Sequence, residues 1–153
     1  MPHDLPITEA DIDAFIAAFE AGTLPKARWT HAAHILTGAC YVHSLGEAAA
    51  INRMRDRVSA FNLAVGGQNT PTSGYHETVT VFWIKLLATH LATTETRTDF
   101  AHRAVRDLAP IRNIYADFYD FDILTSTEAR HTWIEPNIPR SQALKLNADS
   151  SQL

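Results

Sequence analysis

Apolar residues recur along most of the chain at spacings of three and four residues, which place them on one face of an α-helix. The first stripe begins after Thr8 or Asp11 and stops at Gly22, and the second runs from Thr30 to about Leu45. Threonine and aspartate are preferred N-cap residues, and glycine is a common helix terminator. The pattern therefore predicts one helix over each of these two stretches.

The same spacing predicts further helices. A third stripe contains Ile51, Met54, Val58, Phe61 and Val65. A loop rich in glycine, asparagine and proline follows over residues 66–74. Asp99 is the predicted cap of a fifth helix, which Pro110 interrupts before the apolar spacing resumes at residues 111–118. Ser126 is the predicted cap of a short last helix.

The segment after the loop has an ambiguous pattern. Residues 79–83 read Val-Thr-Val-Phe-Trp, which favours a strand. The segment is nevertheless about four turns long and ends in alanine and leucine, so we predict a helix over residues 79–87. Five or six helices joined by short connections predict an all-α fold, a compact helical bundle. We expect a single domain over residues 1–140 and a flexible C-terminal tail over residues 141–153.

The composition and charge of the chain indicate which partners and which location to expect. The 153 residues carry a formal net charge of -4 without a block of basic residues, so we expect no nucleic-acid partner. The most apolar stretch, residues 79–91, is too short to span a bilayer, so we expect no membrane partner. No signal peptide is recognisable, which predicts a cytoplasmic location. Cys40 is the only cysteine, which excludes an intrachain disulfide, and the sequence leaves homo-oligomerisation open.

Two histidines lie in the segment W-T-H-A-A-H at the predicted start of the second helix. Residues three apart lie about 60° apart around a helix axis, so His31 and His34 share a face and can hold one divalent metal ion. Gly38, one turn further on, is expected to leave space beside them, whereas Cys40 is expected to pack in the core. Alternatively, the two histidines only form hydrogen bonds within a helix interface.

A second candidate segment, G-Y-H-E-T-V-T, lies where the glycine-rich loop enters a helix. His76 and Glu77 are adjacent, and side chains at a helix start are less constrained than in mid-helix, so both can turn toward one point. Thr80, one turn after His76, can donate a supporting hydrogen bond. Alternatively, Glu77 only stabilises the helix N-terminus through its interaction with the helix dipole.

The two segments together supply three imidazoles and one carboxylate. If their helices pack face to face, His31, His34, His76 and Glu77 can ligate a divalent transition metal, for which Fe, Zn, Cu, Ni and Mn are candidates. In a metal-free site, a histidine and Glu77 would instead act as an acid–base pair. His76 and Glu77 are therefore the predicted catalytic residues.

The order of the motifs adds a resemblance. The chain reads W-T-H-A-A-H from Trp29, Y-H-E-T-V-T from Tyr75 and L-T-S-T-E-A-R from Leu124, with Pro136 after them. In this order and spacing the motifs resemble those of an uncharacterised family of small bacterial helical proteins. The family pattern has an acidic residue after the late proline, where this chain has Asn137.

The resemblance also implies a role in the site for Arg130, which would pair with Glu77 or an aspartate, or bind an anionic substrate. Trp29, Tyr75 and Arg130 are thus the predicted substrate-binding residues, and Trp83 would add a further aromatic wall. The leading hypothesis is a metal-dependent enzyme that acts on a small molecule, by oxidation on Fe or Cu or by hydrolytic or lyase chemistry on Zn. The alternatives are a non-catalytic metal- or ligand-binding protein and a helical interaction domain with packed histidines.

Overall fold

The computed structural model describes residues 4–92 and 94–138, and within these residues the chain forms a helical bundle without β-strands. The six α-helices are α1 (Glu9–Ala21), α2 (His31–Leu45), α3 (Glu47–Ala64), α4 (Glu77–His90), α5 (Arg97–Leu108) and α6 (Thr127–His131). The predicted all-α fold and the predicted helix over residues 79–87 are thus confirmed. None of the helices described is long and apolar enough to cross a membrane. The predicted tail, residues 141–153, lies outside the described residues.

Side-chain caps define where the helices begin. The side-chain oxygens of Thr8, Thr30 and Ser126 each accept a hydrogen bond of 3.1–3.2 Å from the backbone N–H three residues further on, as the sequence predicts. The predicted cap of α5 is wrong, because Thr96 occupies that position and accepts the N–H of Asp99. Asp99 lies instead in the first turn, where a negative charge is favoured by the helix dipole.

The core is centred on α2, which packs against α3, α4 and α5, and residues 35–42 of this helix are all buried. At Gly38 the helix α4 comes close, since a Cβ atom there would lie 2.9 Å from Leu87 Cδ1 and 3.2 Å from Ile84 Cδ1. The expectation that Gly38 leaves space beside the histidines is therefore wrong, because side chains of α4 fill it. Cys40 is buried in this core as expected, and burial raises the pKa of its thiol to about 12.

Beyond α5 the chain continues as an irregular stretch, here called the 112–124 segment. Pro110 lies in a 3₁₀ turn (Ala109–Ile111) that directly follows α5, and a second 3₁₀ turn covers Ile114–Asp117. The apolar spacing predicted after Pro110 is thus present in turns rather than in an α-helix. The side chains that anchor the segment in the core are Ile114, Phe118 and Ile123.

Candidate functional site

A cavity of about 730 Å³ lies between α2, α3, α4 and the 112–124 segment. Small-molecule sites in proteins occupy about 300–1,000 Å³, so the cavity has the size of a binding site. Trp29 and Trp83 form part of its largely apolar wall. The polar side chains that line it are Thr30, His31, His34, Thr80, Arg112 and Asn113. The W-T-H-A-A-H segment therefore contributes both of its histidines to one cavity.

The imidazole of His34 is held by its own helix and by an aromatic stack. Its Nδ1 lies 2.8 Å from the carbonyl oxygen of Thr30, so this nitrogen carries the proton and donates it, and Nε2 keeps a free lone pair. The ring of Trp29 lies 4.1 Å away between centroids, and Trp29 stacks in turn on Phe19. Burial, with a smaller contribution from the nearby positive charge of Arg112, lowers the pKa of His34 to about 4.

His31 is the first residue of α2, and its ring meets the edge of Trp83 at 5.2 Å between centroids. Its Nε2 is buried and has no hydrogen-bond partner among the described residues. A buried polar atom without a partner costs about 1–3 kcal/mol, and a bound ligand or ion would remove that cost. Burial and the charge of Arg112 lower the pKa of His31 as well, so both imidazoles are neutral at pH 7.

His76 serves as the N-cap of α4 and does not line the cavity. Its Nδ1 accepts a hydrogen bond of 3.2 Å from the backbone N–H of Val79, so the proton lies on Nε2, which donates to the carbonyl oxygen of Ile123 at 2.7 Å. Both ring nitrogens are therefore engaged with backbone groups. Burial lowers the pKa of His76, which agrees with a neutral imidazole in this position.

Glu77 faces α3 rather than the cavity. Arg55 donates to both of its carboxylate oxygens, at 3.0 Å from Nε and 2.6 Å from Nη2, and the hydroxyl of Tyr75 donates a third hydrogen bond of 2.7 Å. Burial by itself would raise the pKa of the carboxyl group, but the hydrogen bonds from Arg55 and Tyr75 outweigh it and hold the pKa below its usual range.

The structure thus brings together only half of the predicted metal centre. Within residues 4–92 and 94–138, no three histidine, cysteine, aspartate or glutamate side chains lie close enough to hold a metal ion together. His31 and His34 share the cavity, whereas His76 and Glu77 turn toward the carbonyl of Ile123 and toward α3. His76 and Glu77 do not join the two histidines of α2, because each of them has a partner of its own.

The contacts of Glu77 predict a structural role that can be measured. Glu77→Gln should lower the free energy of unfolding by about 1–3 kcal/mol, since it removes the charge of a mostly buried carboxylate that pairs with a partly exposed Arg55. Urea denaturation at pH 7 measures this loss. Glu47→Gln is the matched control, because the Glu47–Lys85 pair is exposed and should contribute about 0–1 kcal/mol. Equal stability of the two variants would contradict the structural role.

Of the predicted substrate-binding residues, some line the cavity and others are bound elsewhere. Trp29 lines the cavity, and so does Trp83. Tyr75 does not, because its hydroxyl is bound to Glu77, and burial raises the pKa of its phenol. Arg130 is half-buried as expected, yet its hydrogen bonds go to backbone carbonyls, those of Gly74, Tyr75 and Leu124, and among the described residues it has no acidic partner. Arg130 therefore ties the loop before α4 to the chain before α6.

Two polar side chains in the cavity, those of Arg112 and Asn113, had no signal in the sequence. Both come from the irregular segment after Pro110, where no periodicity predicts which way a side chain points. Thr80 is a different case, since it belongs to the Y-H-E-T-V-T segment and was expected to support His76. It lines the cavity instead, and it is the polar residue through which that segment reaches the histidines of α2.

Comparison with protein-family models, curated proteins and solved structures finds no match to this chain. The resemblance to the family of small helical proteins therefore stays a prediction. The function is therefore inferred from the cavity, which has the neutral imidazoles of His31 and His34 on one wall and Arg112 on the 112–124 segment.

Proposed function

We propose that the protein is an enzyme that acts on a small organic molecule in this cavity, with a divalent metal ion held by His31 and His34. The observation that supports this most is the pair of neutral imidazoles on one wall of a cavity of small-molecule size. A metal ligand must be deprotonated, and His34 meets this condition at any pH well above about 4.

The same pKa makes metal binding a better proposal than acid–base catalysis. A general base works best when its pKa is near the working pH, and a group with a pKa of about 4 is a weak base at pH 7. The hydrogen bond from Nδ1 of His34 to the carbonyl of Thr30 also fits a ligand, because histidines that bind metals usually donate their other N–H to a carbonyl or carboxylate.

Two protein ligands favour catalysis over storage or transport of the metal. A carrier or structural site fills the coordination sphere with protein atoms, whereas a catalytic site leaves positions for water and substrate. The interaction-domain alternative predicts packed histidines without a cavity, and His31 and His34 line one. Imidazole ligands suit Fe, Zn, Cu, Ni and Mn, so both oxidative and hydrolytic or lyase chemistry stay open. The cytoplasmic location stays a prediction.

The proposal is tested with protein purified without a histidine tag. Metal analysis of the isolated protein, followed by calorimetric titration of the metal-free form with Zn²⁺ at pH 7, should give one bound ion per chain. The ion should stay bound at pH 6, because protons do not compete for His34, whose pKa is lowered to about 4. A titration with no saturable site, or with affinity lost between pH 7 and 6, would speak against a metal on these histidines.

A further inference from the structure

We propose that the molecule bound in the cavity is an organic carboxylate: its carboxylate group pairs with Arg112, and its apolar body packs against Trp29 and Trp83. This inference rests on the proposed function to the extent that it needs a small molecule in the same cavity. It adds the chemical class of that molecule and assigns a specificity role to Arg112.

The charge balance of the cavity is the first argument. Arg112 is the only arginine or lysine among the residues that line it, and the lining contains no aspartate or glutamate. The acidic residues Asp120 and Asp122 do not line it but belong to an adjoining surface depression, which shares Asn113, Tyr115 and Leu124 with the cavity. A divalent ion at the histidines would add further positive charge. This charge balance favours an anionic ligand over a neutral one.

The second argument is that Arg112 is not engaged elsewhere. Ion pairs in the described part of the chain occupy Arg53, Arg55, Arg97, Arg103 and Arg106. Arg112 is exposed, has no such pair among these residues, and lines the cavity. The flat guanidinium group matches a carboxylate through two parallel hydrogen bonds, which explains the choice of a carboxylate.

The apolar wall defines the rest of the molecule. Trp29 is fixed between Phe19, at 4.0 Å, and His34, at 4.1 Å between centroids, and Trp83 lies against His31. These large apolar side chains favour a ligand with an aromatic or aliphatic body. With about 730 Å³, the cavity has room for a ligand of one or two rings or of comparable aliphatic size.

The test compares matched acids and amides on the metal-free protein. Phenylacetate, 4-phenylbutyrate and octanoate are titrated beside their primary amides and beside acetate, which lacks an apolar body, by calorimetry at pH 7. At least one of the three larger acids should bind more tightly than its amide and than acetate. Arg112→Gln should weaken the binding of that acid about ten- to a hundredfold and leave the amide unchanged, since it removes a hydrogen bond between two charged groups.

Arg106→Gln is the control, because Arg106 is exposed on α5 and does not line the cavity. Equal affinity for acid and amide, no binding of any of the three acids, or the same weakening in both arginine variants overturns the inference. Separate Zn²⁺ titrations distinguish this outcome from failure of the proposed function. If the protein prefers the acid but has no Zn²⁺ site, only the metal proposal is contradicted. If it has a Zn²⁺ site but no preference for the acid, only the carboxylate inference is contradicted.

Discussion

Replacing His31 and His34 together with alanine should lower the affinity of the protein for Zn²⁺ at least about a hundredfold. Even a group that only orients a metal ligand contributes about 10- to 100-fold to affinity, and here both protein ligands are removed. His34→Ala alone should have most of this effect, because its free Nε2 is the nitrogen that the hydrogen bond to Thr30 leaves available. Calorimetric titration of each variant measures the change.

The control for these variants is His131→Ala. His131 is exposed on α6 and outside the cavity, so the variant should bind Zn²⁺ as the unchanged protein does. Circular dichroism and urea denaturation must show that the double variant keeps its helices. Wild-type affinity in a folded double variant would mean that any bound Zn²⁺ is held elsewhere, and the enzyme proposal would lose its metal.

Lowering the pH from 7 to 4.5 should destabilise the folded protein by an amount on the order of 2 kcal/mol from His34 alone. The unfolded chain takes up a proton near its ordinary pKa of 6.5, whereas the folded chain does so only near about 4. The unfolded state thus binds more protons across this window, and stability falls as the pH falls. His31 and His76, whose pKa values are also lowered, add to the loss in the same direction.

Carboxylates account for only a small part of the loss between pH 7 and pH 4.5. The pKa values of Glu20, Glu77 and Glu95 lie below the ordinary 4.5, so most of their contribution to stability is lost below pH 4.5. Urea denaturation at pH 7 and pH 4.5 should therefore show a smaller loss in His34→Gln than in the unchanged protein, with His131→Gln as the control. Identical losses in all three proteins would show that burial of His34 does not disfavour its charged form.

Most of the fold follows from local sequence signals. Thr8, Thr30 and Ser126 cap helices by accepting hydrogen bonds from backbone N–H groups three residues further on. Such local contacts can be predicted from the residue types of a short segment. The helix over residues 79–87 has an ambiguous local signal, because residues 79–83 favour a strand. Its length and tertiary burial outweighed the strand propensity of Val-Thr-Val-Phe-Trp, and residues 81–84 are buried in the bundle.

The candidate site was predictable only where a helix fixes direction. His31 and His34 share a wall because residues three apart share a helix face. His76 and Glu77 turn away because of partners 47 and 22 residues distant, Ile123 and Arg55, and sequence spacing contains no information about such contacts. The same limit applies to Gly38, where the predicted free space is absent because side chains of α4 fill it.

The cavity wall opposite the histidines is formed by the turns of the 112–124 segment, whereas the histidines lie on a helix of the bundle core. In the 112–124 segment, the side chains of Ile114 and Phe118 are buried in the core, whereas Arg112 and Tyr115 line the cavity. Replacing the cavity-lining residues leaves the anchors and the histidine helix intact. The shape and charge of the cavity can therefore be changed by few substitutions at little cost in folding, which makes this bundle a suitable starting point for directed evolution.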